Sequence, residues 1–146
     1  MKRSAIYRFL RMIVLTFSTL SLMSFTVVID AGHGGHDAGA IGLVKGVKEK
    51  DLNLTVAKRL ATKIQQNHPD VKVVLTRETD VFLPLQQRAD IANKNHADLF
   101  ISIHTNAAEN RKAQGVETFI LGTDRMEDNL DVAMRENAVM KLEDDQ

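Results

Sequence analysis

The stretch Phe25-Thr-Val-Val-Ile-Asp30, followed by Ala31-Gly-His-Gly-Gly35, decides the fold of this 146-residue chain. Its first part is a short, apolar and largely β-branched run, which is typical of a strand buried on both faces of a sheet. Its second part is a glycine-rich loop, and further glycines extend the loop character to about Gly46. We therefore predict a buried strand that runs into a sharply turning loop.

Helices and strands alternate along the rest of the chain. An apolar pattern of helical period predicts a helix over residues 50–67, with these side chains facing inward: Leu52, Val56, Ala57, Leu60, Ala61 and Ile64. Pro84 opens a second helix, in which Leu85, Ala89 and Ala92 are expected to face inward. Further strands are predicted at residues 71–76, 99–103 and 116–121, and a capped helix begins at Asp124.

This alternation indicates an α/β fold with a mixed, mostly parallel sheet flanked by helices. Because no strand follows the last helix, we expect the fold to be incomplete at the carboxyl end of the sequence. The length allows one domain, which we assign to residues 26–146.

The composition excludes several classes of protein and site. Basic and acidic residues number 19 each, and four of the basic ones lie in the first 25 residues, so the rest is mildly acidic and unsuited to nucleic acid. There is no cysteine, which excludes disulfides and thiolate metal sites. Any metal must therefore be held by imidazole and carboxylate groups.

Residues 1–25 have the pattern of a secretory signal peptide. A basic stretch at 2–11 precedes an apolar run at 12–25, which is shorter than the roughly 20 residues of a membrane-spanning helix. We predict an exported protein of the periplasm or cell envelope that meets the membrane only through this segment. An uncleaved anchor that extends into residues 26–29 is the alternative.

Three side chains that could bind a metal follow predicted strand ends or begin a predicted helix. His33 follows the first strand, His104 directly follows Ile103, and Glu49 lies at the start of the first helix. Ligands bind at the carboxyl ends of strands in open α/β sheets, and two histidines with one glutamate form a known catalytic zinc set with a position left for water. Spacing alone leaves alternatives, since His104 could be a hydrogen-bonded core residue, Gly32–Gly35 a plain turn or anion nest, and Glu49 a solvated charge.

Five sequence blocks follow one another in a specific order. They begin with Val28-Ile-Asp-Ala-Gly-His-Gly-Gly-His-Asp-Ala-Gly-Ala40 and continue at residues 48–54, 74–77, 88–93 and 97–107. In order and approximate spacing they resemble the zinc-dependent N-acetylmuramoyl-L-alanine amidases of the amidase 3 type, over about residues 26–121. The resemblance implies a phosphorylase/hydrolase-like fold and Zn²⁺ bound by His33, Glu49 and His104. It also implies hydrolysis of the amide between N-acetylmuramic acid and L-alanine in peptidoglycan or muropeptides, with an activator protein as a further candidate partner.

The roles of other polar residues are less specific. Asn106 either faces the substrate or fixes its loop. Arg77 and Arg88 are expected to be buried ion-pair partners, for example of Asp30, which could also steer a metal ligand. Glu117 is expected to be structural, and the remaining histidines are expected to be exposed: His36, His68 and His96.

One functional residue of the family has no counterpart in the sequence. Members carry a late glutamate that serves as general acid/base, and we expect its equivalent beyond Gln146, so no catalytic residue is assigned. The leading hypothesis is a zinc amidase. The alternatives are a zinc-retaining, catalytically impaired muropeptide-binding fragment and a membrane-anchored interaction domain without metal.

Overall fold

The computed structural model describes residues 24–107 and 112–120 of the chain. Within them, strand β1 (Thr26–Ala31) is followed by helix α1 (Glu49–Asn67), strand β2 (Lys72–Leu75), helix α2 (Leu85–Lys94) and strand β3 (Leu99–Ile103). Residues 1–23 of the predicted signal segment and the helix predicted from Asp124 lie outside the described residues.

The three strands form one parallel sheet in the order β2-β1-β3. The central strand β1 is buried along its whole length, as its apolar sequence predicts. The predicted α/β fold, with a parallel sheet flanked by helices, is confirmed. The predicted starts of these five elements, and the ends predicted for all but the second helix, differ from the observed ones by at most one residue.

The two helices cover opposite faces of the sheet. Alternate residues of a strand point to opposite faces; Val27, Ile29 and Ala31 of β1 form a buried cluster with Ala57 and Ala61 of α1. On the other face, Asp30 contacts Arg88 of α2. The central strand therefore buries an apolar face against α1 and places a carboxylate under α2.

The predicted inner faces of both helices need correction. Leu52 and Val56 are 41% and 47% exposed, because the side of α1 that meets the sheet is centred on Asn53, Ala57 and Ala61. In α2, Ala89 is exposed and the buried residue is Arg88. The charge of Asp30 beneath α2 accounts for this, since a buried carboxylate requires a charged or polar partner.

The fourth predicted strand is not observed in the part of it that the structure describes. Residues 116–120 form no strand, and Val116 and Ile120 are 95% and 77% exposed. A β-branched sequence favours an extended chain, but a strand also requires a hydrogen-bonded neighbour. Glu117, which was expected to be structural within that strand, is exposed.

Candidate metal centre

The parallel register places His33 and His104 at the same edge of the sheet. The last residues of β1 and β3, Ala31 and Ile103, are partners in the ladder, and the Gly32 N–H donates to the Ile103 carbonyl at 3.0 Å. The segments that follow β1 and β3 then leave the sheet at its carboxyl edge. The two imidazole rings meet there with centroids 4.9 Å apart and planes at 78°.

His33 occupies a sharp turn with a strained backbone. Its φ is 62°, a left-handed value that is uncommon for a residue with a side chain and that costs on the order of 1–3 kcal/mol. The turn is held by paired backbone hydrogen bonds between Gly34 and Asp37 at 2.9 and 3.0 Å. Arg88 also donates to the His33 carbonyl at 3.0 Å, so helix α2 helps to hold this turn in place.

Glu49 places its carboxylate between the two imidazoles. It is the first residue of α1 and is only 4% exposed. Its Oε1 lies 3.3 Å from Nε2 of His33 and 3.3 Å from Nδ1 of His104. The start of a helix favours a carboxylate, because the unpaired backbone N–H groups there carry partial positive charge.

The three side chains have the spacing of ligands that share one ion. Their ligand atoms all lie within 4.8 Å of one another. Ligands at about 2.0–2.1 Å from a tetrahedral metal lie about 3.3 Å apart, which agrees with the two shorter distances observed. The group formed by His33, Glu49 and His104 could therefore hold a metal ion, and imidazole with carboxylate is a ligand set that suits transition metals.

Hydrogen bonds keep the Glu49 carboxylate ionised despite its burial. Burial acts to raise the pKa of Glu49, but hydrogen bonds from His104, His33 and the N–H groups of Ala40 and Thr105 hold that pKa far below its usual range. Burial acts to lower the pKa of His33, but contacts with Glu49 and Asp37 outweigh burial and raise it. The carboxylate therefore stays ionised at neutral pH and can only accept hydrogen bonds or bind a cation.

Three residues that contact the predicted ligands were missed at the level of sequence. The Asp37 carboxylate lies 2.8 Å from Nδ1 of His33. The Asn53 amide contacts Glu49 Oε1 at 3.3 Å, and the Thr105 N–H donates to the same oxygen at 2.7 Å. A sequence signal existed for one of them, because Asn53 follows Glu49 by four residues within a helix, where such residues are neighbours.

The remaining predicted residues divide into structural and exposed groups. The Arg88–Asp30 ion pair is confirmed at 2.8 Å, and Asp30 also accepts from Thr76 and Ser102, so these contacts of Asp30 are structural. Arg77 donates to the backbone carbonyls of Ala31, Gly32, Lys50 and Thr79. Four residues are exposed, as expected for the histidines: His36, His68, His96 and Asn106. A substrate role for Asn106 stays a prediction.

The fold and the site together define an α/β domain with a candidate metal centre at the carboxyl edge of a parallel sheet. Among the described residues, no helix is both long and apolar enough to cross a membrane.

Comparison with known proteins assigns the family. The model of the Amidase_3 family, described as N-acetylmuramoyl-L-alanine amidase, matches residues 27–144. The chain therefore belongs to the N-acetylmuramoyl-L-alanine amidase family of this type.

Two curated relatives and one solved structure illustrate the match. The amidase AmiC of Escherichia coli O6:H1 is 44% identical over 97 residues, which cover 66% of this chain and 23% of AmiC. The amidase AmiA of Escherichia coli K12 is 48% identical over 95 residues, which cover 65% of this chain and 32% of AmiA. The catalytic domain of CwlV, an amidase of Bacillus (Paenibacillus) polymyxa var. colistinus, superposes with a TM-score of 0.58 at 42% identity, covering 61% of this chain and 49% of that domain. The chain thus spans less than half the length of these relatives.

Proposed function

We propose that the protein is a zinc-dependent amidase that hydrolyses the bond between N-acetylmuramic acid and L-alanine in peptidoglycan. The observation that carries the proposal is the convergence of His33, Glu49 and His104, with ligand atoms within 4.8 Å of one another, in a chain of this family. Relatives that bear the amidase name support the substrate.

Each ligand-bearing segment has a definite task in this proposal. His33 would bind the ion through Nε2, because Nδ1 faces Asp37, and His104 would bind through Nδ1, which faces Glu49. Glu49 would supply the oxygen ligand and reduce the net charge of the site. Zinc bound there would polarise the scissile carbonyl and lower the pKa of a water molecule toward about 7.

We also propose that the protein is exported to the periplasm or cell envelope by residues 1–25, since its relatives bear the name N-acetylmuramoyl-L-alanine amidase and the bond in that name belongs to peptidoglycan. Peptidoglycan lies outside the cytoplasmic membrane, so the proposed activity requires export. A periplasmic activator protein stays a prediction from the family resemblance. Fractionation of cells that express the tagged full chain, with and without residues 2–25, would test the location.

Metal binding is tested first. Equilibrium dialysis with metal analysis should find about one zinc per chain, as for a single site with three protein ligands. His33→Ala and His104→Ala should lose that zinc, whereas His68→Ala, which removes an exposed histidine at the end of α1, should keep it. Zinc that persists in both site variants would show that the ligands lie elsewhere.

Hydrolysis is tested separately with dye-labelled cell walls. Soluble dye released by the zinc-loaded chain would show hydrolysis and would place the general acid/base within these 146 residues, contrary to the expectation from the family resemblance. The products should carry a new L-alanine amino terminus that identifies the cleaved bond. His33→Ala should release none, and His68→Ala should match the parent. Zinc binding without dye release by the parent would favour the muropeptide-binding alternative.

A further inference from the structure

We propose that Asn53 and Thr105, given the metal centre proposed above, are positioning residues that hold the Glu49 carboxylate between the two imidazoles. We refer to these two residues as the Asn53–Thr105 clamp. Neither is a candidate ligand, and both make contacts that connect the three segments on which the candidate ligands lie. Their proposed task is to fix the spacing of the ligands before an ion binds.

Asn53 connects the first turn of α1 to the loop after β1. Its side chain is completely buried. The amide nitrogen Nδ2 lies 3.3 Å from Glu49 Oε1 and 3.3 Å from the Gly32 carbonyl, next to His33. Because both partners can only accept, Nδ2 must face them and Oδ1 must face the opposite side.

Thr105 completes the connection from the segment after β3. Its hydroxyl donates to Asn53 Oδ1 at 2.7 Å, which agrees with the amide orientation required by the other two contacts. Its backbone N–H donates to Glu49 Oε1 at 2.7 Å. Since Thr105 directly follows His104, the clamp ties the segments that bear His33, Glu49 and His104 to one another.

The clamp acts on the oxygen that both imidazoles approach. A glutamate side chain has several rotatable bonds, so an unsupported carboxylate would sample positions that cannot share an ion with both histidines. The other oxygen, Oε2, is held by the Ala40 N–H at 2.9 Å. Residues that orient metal ligands in this way typically contribute about 10–100-fold to metal affinity.

The first test uses Thr105, because substitution at its exposed position leaves the buried core of the fold intact. Thr105→Val keeps the shape of the side chain and removes the hydroxyl, so Asn53 Oδ1 loses its donor. We expect the Kd for zinc, measured by competition with a chromophoric chelator, to rise about 10–100-fold. Thr105→Ser keeps the hydroxyl and should bind zinc within about threefold of the parent, allowing for its freer rotamer.

Thr55→Val is the matched control. It removes a hydroxyl that donates to the Asp51 carbonyl at 2.8 Å on the exposed side of α1. This change should leave zinc affinity unchanged. The absorption spectrum of Co²⁺-loaded protein gives a second readout. Its intensity reports coordination geometry, and it should change in Thr105→Val but not in Thr105→Ser or Thr55→Val.

The second test is a double-mutant cycle with Asn53→Leu. If the two residues act as one unit, Asn53→Leu should weaken zinc binding much less in the Thr105→Val background than in the parent. Additive effects, or zinc affinities of Thr105→Val and Asn53→Leu close to that of the parent, would overturn the clamp. A parent chain that binds no zinc would overturn the proposed function as well, whereas a parent that binds zinc without hydrolysing cell wall leaves the clamp measurable.

Discussion

Oδ2 of the Asp37 carboxylate lies 2.8 Å from Nδ1 of His33. Oδ1 of the same carboxylate accepts a hydrogen bond from the Gly39 N–H at 3.1 Å. An ionised carboxylate can only accept, so in a neutral His33 ring a proton on Nδ1 suits Asp37 and leaves a lone pair on Nε2. Nε2 is the atom that faces Glu49. We infer that Asp37 favours the His33 tautomer that a cation shared with Glu49 at the candidate metal centre requires.

We expect Asp37→Asn to weaken zinc binding about 10–100-fold, because the amide cannot hold the His33 tautomer as an ionised carboxylate does. Zinc affinity by chelator competition would measure the effect. Asp70→Asn, at an exposed position before β2 and thus near the amino edge of the sheet, is the control. Equal affinities for Asp37→Asn and the parent would show that Asp37 does not orient the ligand.

A methyl group at Gly39 should disrupt the metal centre by steric overlap. A Cβ there would lie 2.6 Å from His33 Cδ2 and 2.8 Å from Glu49 Oε2. We expect Gly39→Ala to lower zinc affinity about tenfold or more, because displaced ligands bind poorly.

Gly46→Ala is the control for backbone strain. Both glycines have positive φ, 63° and 88°, but a Cβ at Gly46 meets nothing within 4 Å. Its zinc affinity should equal that of the parent. If the two alanine variants lost zinc affinity equally, backbone strain rather than overlap with the ligands would be the cause.

Removing either member of the buried Asp30–Arg88 pair should destabilise the fold strongly. The two side chains are 4% and 7% exposed and 2.8 Å apart. Asp30→Ala and Arg88→Ala should each lower the free energy of unfolding by about 3–5 kcal/mol, since each leaves a buried charge unpaired. Urea denaturation of the metal-free chain would measure the loss.

Asp90→Ala provides a comparison on the exposed side of α2, where Asp90 accepts from Gln86 at 2.9 Å. It should change the free energy of unfolding by no more than about 0.5 kcal/mol. The double variant Asp30→Ala/Arg88→Ala should lose less than the sum of the single variants, because it leaves neither charge behind. Losses below about 1 kcal/mol for both single variants would contradict the buried pair.

The Lys50–Asp80 ion pair should stabilise the fold in a pH-dependent way. Lys50 Nζ lies 2.6 Å from Asp80 Oδ2, and the Gly35 N–H donates to Oδ1 at 2.7 Å. These two contacts, the lysine first, lower the pKa of Asp80. A lowered folded-state pKa stabilises the fold above the unfolded pKa of about 3.9, and this stabilisation is lost as the pH falls through the lowered value.

Asp80→Asn should therefore shift the urea midpoint of the metal-free chain downward at neutral pH, and the difference from the parent should shrink below about pH 4. Urea midpoints for both proteins between neutral and acidic pH would measure this. A difference that stays constant across that range would exclude ionisation of Asp80 as its source. Glu78→Asn, at an exposed position nearby, serves as the control.

The sequence could predict those site residues whose place in the fold follows from the strand or helix next to them. His33 and His104 follow strands that are recognisable from local composition, and parallel strands bring residues after their ends to one edge. Glu49 was placed at that edge because it begins a recognisable helix. The clamp could not be predicted in the same way, since the contact of Thr105 with Asn53 spans 52 residues of sequence and depends on how α1 packs beside β3.

The sequence by itself determined the buried central strand and the alternation of strands and helices, because local periodicity is a property of short segments. The three candidate ligands followed from strand ends only together with the family resemblance. Only the tertiary structure decided that Arg88 rather than Ala89 faces the sheet, that Nε2 of His33 faces Glu49, and that Asp37, Asn53 and Thr105 support the candidate ligands. The physical reason is that a hydrogen bond depends on the distance and direction between two atoms. Those quantities exist only once helices and strands from distant parts of the chain have packed together.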